Sequence, residues 1–425
     1  MNTPNATLDN ISFVSTFLSH ASTDKDLVEA VAQRLGRRGV LTWFDKSELL
    51  EMGPLDVTLK RAVQQQATLT FFLSEASSNS SWCTDELKWA IEAQEGYDHL
   101  LPVYLGEPLK LVKEHAVLRS RFLHGDGNRV NQLGYACQQN PTAPDPDAIA
   151  QKIAATAYHR SIPKTWSDVV IYLDQRGSGS RRGFPPIPDS VARLNMPTLT
   201  FRPSLELRQP RELLTGQDWE DMVQTMNQSL SLALGTIRGD IRKVRVIGNA
   251  QTSLVWAVGK LLDRTTSAEL YGYDRNGVAI TNKGQITHTV LPGGNPEAAV
   301  QISGQPLEKN ATYKSIALGV GSQDNYGSAV QKSVPDIPLF WLESGFINGS
   351  EQAMELVANL VASVKRLNQE YGADELVLFW TTANHVALLA AANLTTHVIP
   401  KIRFMERSHT PGEYVHLPMP GDSSS

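Results

Sequence analysis

The sequence predicts an α/β protein of two domains, and three observations lead there. Short apolar runs alternate with helix-periodic segments over residues 11–105, the pattern of a parallel sheet covered on both faces. A polar stretch over 128–147, rich in Gln, Asn and Pro, precedes one last helical segment over 148–159. The chain then breaks at Ser161-Ile162-Pro163-Lys164, which divides it into domains over 1–160 and 165–425. Beyond the break the chain repeats itself at a constant offset of 132 residues.

Taken in order, residues 11–18 predict a strand, and 25–35 a helix behind an Asp24 cap. A strand over 39–44, a helix over 55–63 and a buried strand over 69–73 follow. A small polar loop leads to a helix over 85–94, and 100–104 is the fourth strand. In the second domain the run 244–252 has its counterpart at 376–384, an apolar strand entering a small polar turn. Apolar helices over 254–262 and 386–394 follow, and each half then reaches a strand closing on an acidic–Arg pair, Asp274-Arg275 and Glu406-Arg407. Looser matches pair strands over 198–204 and 315–322, and helices over 218–234 and 350–367. The halves divide at about residue 300.

Composition narrows the function. With 41% hydrophobic and 20% charged residues the chain reads as a soluble globular protein. It shows neither a membrane-length apolar run nor a signal-peptide pattern. Cys83 and Cys137 are isolated from each other, which suits a reducing cytoplasm and offers no metal-ligand spacing. Net charge is −4 over 1–160 and −1 over 161–425, so no domain has the basic face that duplex nucleic acid attracts. No Gly-x-Gly-x-x-Gly follows the first strand and no phosphate-loop motif occurs, which argues against a Rossmann dehydrogenase and against phosphate-loop chemistry.

The most informative motif is Ser80-Ser81-Trp82-Cys83-Thr84-Asp85-Glu86-Leu87, between the buried strand and its helix. Upstream stand Phe13-Val14-Ser15-Thr16-Phe17-Leu18-Ser19-His20 and Trp43-Phe44-Asp45-Lys46. In this order and spacing the three segments resemble a TIR domain, with a flavodoxin-like parallel sheet. In TIRs that act on NAD, the Glu of Trp-Cys-x-x-Glu-Leu cleaves the nicotinamide–ribose bond, so the resemblance implies Glu86 as the catalytic carboxylate. A carboxylate beside C1′ stabilises the oxocarbenium-like ribose of such a cleavage. Ser19 and His20 close the first strand, where ligands of open α/β sheets bind, and are read as hydrogen-bonding ribose or phosphate. Phe44, Asp45 and Lys46 begin the loop that covers substrate in TIRs, which here carries Gly53-Pro54 where many TIRs have Pro-Gly. Trp82 flanks a ring of the dinucleotide or fills the core, and Cys83 lines the strand–helix corner.

Two repeated α/β halves behind a TIR domain resemble a SAVED domain, two fused CARF-like units that sense cyclic oligonucleotides. The combination resembles the TIR–SAVED effectors of CBASS antiphage defence. Phosphates of such a ring need helix N-termini and a cation, which points to Asn249, Gln251 and Thr252 in one half and Thr381, Thr382 and Asn384 in the other. Arg202, Arg275 and Arg407 lie at strand C-terminal ends, on the ligand side. Trp380 either stacks on a base or fills the core, and Ser322 closes the Gly-rich run Gly319-Val320-Gly321-Ser322-Gln323. The implied protein takes NAD as substrate and a cyclic oligonucleotide, made by a cognate nucleotidyltransferase, as activator. It needs no cofactor or metal, self-assembles when activated, and binds neither duplex nucleic acid nor membrane. A TIR cyclase making a cyclic ADP-ribose isomer and a non-enzymatic TIR scaffold are the alternatives.

Overall fold

The computed structural model describes residues 13–43, 55–93, 99–123, 127, 129–130, 135–136, 144–162, 168–175, 196–202, 213–235, 242–263, 268–273, 279–282, 293–304, 306–308, 313–347, 349–394, 401–408, 410 and 412–419. It falls into two units. The first gathers Met1–Trp166, Leu194–Leu205 and Gln228–Arg238, and the second holds Ser167–Arg193, Glu206–Asn227 and Gly239–Ser425.

Five parallel strands form the first unit's sheet: β1 (Ser15–Ser19), β2 (Leu41–Trp43), β3 (Thr68–Leu73), β4 (Leu100–Tyr104) and β5 (Tyr135–Ala136). Their order is β2-β1-β3-β4-β5, so the winding direction reverses between β1 and β3. Every residue of β1, β3 and β4 is buried, so these runs do not alternate apolar with charged residues. Their only polar side chains are the small hydroxyls of Ser15, Thr16, Ser19, Thr68 and Thr70 and the phenol of Tyr104. Two of these pair internally: Thr16 Oγ1 lies 2.9 Å from Thr70 Oγ1.

The helices are α1 (Lys25–Arg37), α2 (Leu55–Gln65), α3 (Glu75–Ser78), α4 (Ser81–Ala93), α5 (Pro108–Glu114), α6 (Ala116–Phe122) and α7 (Pro146–Ser161). α1 buries Val28, Val31, Ala32 and Leu35, the spacing of one helical face. Its C-terminal Arg38 is held to α7 by both carboxylate oxygens of Asp147, each at 3.0 Å.

β7 (Thr198–Phe201) also belongs to the first unit. Its backbone takes hydrogen bonds from Val14 N and gives them from Thr200 N to Gly39 O, each 2.8 Å. Gly39 sits at φ +77°, and a Cβ there would stand 3.0 Å from the Phe201 ring, so only glycine fits.

The second unit contains the repeat. β6 (Asp168–Asp174), β8 (Arg242–Asn249) and β9 (Ala268–Tyr273) run parallel, with β10 (Ala279–Asn282) antiparallel on β9. After β11 (Ala299–Ser303), the same pattern returns. β12 (Ser315–Gly321), β14 (Glu375–Trp380) and β15 (Lys401–Arg407) are parallel, and β16 (Tyr414–Leu417) is antiparallel on β15. β13 (Leu339–Glu343) continues the second sheet between β12 and β11. The helices here are α9 (Thr252–Asp263), α10 (Gln323–Ser333), α11 (Ser350–Tyr371) and α12 (Asn384–Asn393), preceded by α8 (Gly216–Gly235), which counts with this unit up to Asn227 and with the first unit from Gln228.

One expected match changes partners. The strand equivalent to β12 is β6, which pairs with β8 as β12 pairs with β14; the expected strand over 198–204 is β7 of the first unit. The signal was present in Val169-Val170-Ile171-Tyr172-Leu173, all buried.

Pairing between the halves runs through α9 and α12. A Cβ on Gly259 would stand 2.5 Å from Leu388 O and 2.7 Å from Ala391 Cβ, so the two backbones approach as closely as glycine allows. Trp256 packs beside them, its ring 5.6 Å from Trp380 and 5.1 Å from Phe404. No described helix is long and apolar enough to cross a membrane.

Candidate functional site

In open α/β sheets ligands bind beyond the strand C-termini where the strand order reverses. Here that point lies between β1 and β3, and Glu86 is beside it. Ser19, the last residue of β1, donates from Oγ to Glu86 Oε2 at 2.5 Å. Glu86 is the sixth residue of α4, which begins at Ser81, earlier than the sequence pattern placed it. The expected polar loop before it contains a further helical turn, α3, closed by a Ser74–Ser77 capping box.

Further groups gather here, and Asp24 does so in a role other than the helix cap expected of it. Asp24 makes no side-chain cap for α1; its Oδ2 accepts from Ser74 Oγ at 2.7 Å, joining the ends of β1 and β3. Ser80 Oγ accepts from Cys83 N at 3.3 Å. Cys83 itself is 2% exposed, and burial pushes its thiol up, with the Glu86 carboxylate adding to that and the neighbouring Ser80 and Ser19 hydroxyls opposing it. A thiol so placed is a wall and not a nucleophile. His20 holds its Nδ1 2.9 Å from Leu18 O, a local turn contact. Trp82 is 39% exposed on the outer side of the motif. Phe44, Asp45 and Lys46, with the covering loop around Gly53-Pro54, lie outside the described residues.

At the strand C-termini of the second unit the expected ligand groups are largely bonded to one another. Gln251 receives Gln175 Nε2 at 2.6 Å and Leu214 N at 3.0 Å on its Oε1, and gives its Nε2 to Ser253 Oγ at 2.8 Å. Thr252 Oγ1 donates to Asn384 Oδ1, and Asn384 Nδ2 to Ala250 O, both at 2.8 Å. The N-terminus of α9 already has an anion: Glu406 Oε2 accepts from Ser253 N at 2.6 Å. In this structure Gln251, Thr252 and Asn384 therefore bond to groups of the protein itself. Asn249 is the last residue of β8.

Three further groups have defined places in the fold. Trp380 is 5% exposed, packs on Trp256 and donates Nε1 to Ala383 O at 3.3 Å, so its ring fills the core. Arg202 belongs to the first unit, its N–H on Gly36 O at 2.8 Å. The glycines of β12 make room for the protein's own side chains: a Cβ on Gly319 would meet Trp341 at 2.2 Å, and one on Gly321, at φ +133°, would meet Thr381 Oγ1 at 2.2 Å.

What stays outward is a smaller group on the second half. Arg407 is exposed at the end of β15, its guanidinium 5.4 Å from the Tyr326 ring centre. Ser322 stands at the N-cap of α10 without capping it, accepting instead from Asn325 Nδ2 at 3.0 Å. Thr382 Oγ1 accepts from Ser344 Oγ at 3.2 Å, while Thr381 Oγ1 donates to Val320 O at 2.9 Å. Arg275 lies outside the described residues.

A five-stranded parallel sheet in the order 2-1-3-4-5, with a carboxylate held at its reversal, defines a flavodoxin-like α/β unit carrying a polar crevice. Residues 16–133 of that unit match the family model for the TIR domain. No curated protein matches the chain in sequence. Among solved structures, it is similar to the Acinetobacter baumannii Cap4 SAVED/CARF-domain containing receptor with the cyclic trinucleotide 3′3′3′-cAAA, at 11% identity and a TM-score of 0.42, over 87% of this chain and 86% of that one. The Moraxella osloensis Cap4 SAVED/CARF-domain containing receptor aligns at 13% identity and a TM-score of 0.39, over 87% and 85%. The TIR domains of the activated Roq1 resistosome align at 23% identity and a TM-score of 0.27, over 33% of this chain and 96% of that one.

Proposed function

We propose that the protein is a TIR effector that cleaves NAD when its C-terminal unit binds a cyclic oligonucleotide. The observation that carries the catalytic half is Glu86, the carboxylate of the TIR motif, held by Ser19 at the sheet's reversal point. In the reaction the C1′–nicotinamide bond breaks with its electron pair going to nicotinamide. The ribose becomes oxocarbenium-like, and Glu86 faces that developing charge. Water then adds at C1′ and loses a proton, giving nicotinamide and ADP-ribose. No cofactor enters, since NAD is consumed as substrate.

The sensing half is supported by its two α/β halves of matching topology and by its near-neutral charge. Exposed Arg407 and half-buried Ser322 and Thr382 are the first candidates for contacts with a ring's phosphates and riboses. Cyclic tri-adenylate is the first ring to try, and assembly of TIR units is the expected response. The test mixes the purified full-length chain with NAD and a panel of cyclic di-, tri- and tetranucleotides, following nicotinamide release and separating ADP-ribose from its cyclic isomer. Cleavage only in the presence of one ring supports the reading. NAD untouched by every ring overturns the catalytic half, and equal cleavage without any ring overturns the gating.

A further inference from the structure

We infer that Ser19 is a positioning residue for Glu86, fixing the carboxylate in place and in its charged form instead of donating to the dinucleotide. The inference rests on the NAD-cleaving reading of Glu86 and assigns Ser19 a different role from the substrate contact its place at the end of β1 suggests.

Ser19 is held before its side chain does anything. It ends β1 in register with Phe71 of β3, and is 1% exposed. A serine hydroxyl has a single hydrogen to give. Here it goes to Glu86 Oε2 at 2.5 Å, the length of an O–H donor on a charged oxygen. A hydroxyl already committed in this way has no donor left for a ribose oxygen or a phosphate. Behind it, Cys83 is 2% exposed one helical turn before Glu86, so the pair has an apolar wall on that side. Donation to a carboxylate favours its ionised form, and the same bond fixes the rotamer of a long side chain. Both effects are needed by a group that must present negative charge to a forming cation.

The experiment compares wild type, Ser19→Ala and Ser19→Thr in the full-length protein with its activating ring. For Ser19→Ala, kcat should fall about tenfold with KM for NAD unchanged, and the acid limb of the kcat profile should move to higher pH. Ser19→Thr, which retains a hydroxyl, should restore the limb. A carbon-13 titration of the Glu86 carboxyl, assigned by its loss in Glu86→Gln, should move upward in Ser19→Ala whether or not NAD is present. A raised KM with unchanged kcat, or a Glu86 titration that does not move, overturns the inference. Should wild type cleave no NAD under any ring, the catalytic reading fails, and the carboxyl titration alone still decides whether Ser19 holds Glu86.

Discussion

Thr252 and Asn384 are repeat partners and they bond to each other. Thr252 Oγ1 donates to Asn384 Oδ1 at 2.8 Å, and the 132 residues between them are the offset at which the two halves repeat. Gly259 and Ala391, separated by the same offset, also meet, where α9 and α12 cross. Equivalent positions touch only where a local two-fold axis passes between them, so the axis of the second unit runs through this helix pair. The first turns of the two helices, where phosphates were expected, are therefore the seam between the halves.

Gly259 should be intolerant of any side chain. The atom nearest an added Cβ is the backbone oxygen of Leu388, at 2.5 Å, which cannot swing aside as a side chain would. Gly259→Ala should therefore destabilise the second unit by about 1–3 kcal/mol despite alanine's better helix propensity. Urea unfolding followed by tryptophan emission, to which Trp256 in the same helix contributes, would check it. A neutral or stabilised variant would mean that α9 and α12 pack less closely.

Glu86→Gln keeps the side chain's shape and an acceptor for the Ser19 hydroxyl while removing its charge. Nicotinamide release should fall at least about a hundredfold, equivalent to ~2.7 kcal/mol of barrier. Ring binding should be unaffected, since Glu86 lies in the first unit and the proposed ring contacts in the second. Normal turnover by a folded Gln variant would remove Glu86 from the chemistry.

His115 gives the first unit a pH dependence of known sign. Its ring is 1% exposed, and Nδ1 accepts from Leu118 N at 3.3 Å at the start of α6, a role open only to neutral imidazole. Burial lowers its pKa from the ordinary 6.5. The unfolded chain therefore takes up a proton first as pH falls, and stability is lost from about 6.5 downward until the folded value is passed. His115→Asn keeps a capping acceptor and does not titrate. Its stability relative to wild type should rise as pH is lowered from 7 to about 5, measured by thermal unfolding; parallel curves would contradict the assignment.

The first unit, which holds the TIR match, was far more legible in the sequence than the second. Fully buried strands such as Thr68–Leu73 leave continuous apolar runs, and the Glu86 motif sits where a strand hands over to a helix. Two things were hidden. Ser19 was visible as a strand end but not as a donor to Glu86, because the partners are 67 residues apart and no local pattern links them. In the second unit the offset was readable, but which polar groups face outward was not. Gln251, Thr252, Asn384 and Trp380 have the residue types of a ligand site and are spent on the seam and the core. A helix N-terminus looks alike in sequence whether a ligand or a carboxylate from elsewhere in the chain fills it.

Glu406 is that carboxylate, and its behaviour can be separated from that of Arg407 beside it. It is 7% exposed, and burial raises its pKa above the usual 4.5, against hydrogen bonds from Ser253, Thr252 and Arg407 that lower it. A carboxyl with a raised folded value contributes most below the unfolded value, and that contribution is lost as pH rises through the folded one. Glu406→Gln retains an oxygen for Ser253 N and cannot ionise, so it should gain stability relative to wild type as pH is raised from about 4 to 7. Glu406→Ala leaves Ser253 N without this acceptor and should cost about 1–3 kcal/mol across the range. Arg407→Ala, by contrast, removes an exposed cation and should leave stability almost unchanged while raising the ring concentration needed for half-maximal NAD cleavage by roughly tenfold. Thermal unfolding across pH and activation curves for the three variants would show whether the carboxylate serves the seam and the guanidinium the ligand. An Arg407→Ala protein that activates at the wild-type concentration would mean that the ring binds elsewhere on the unit.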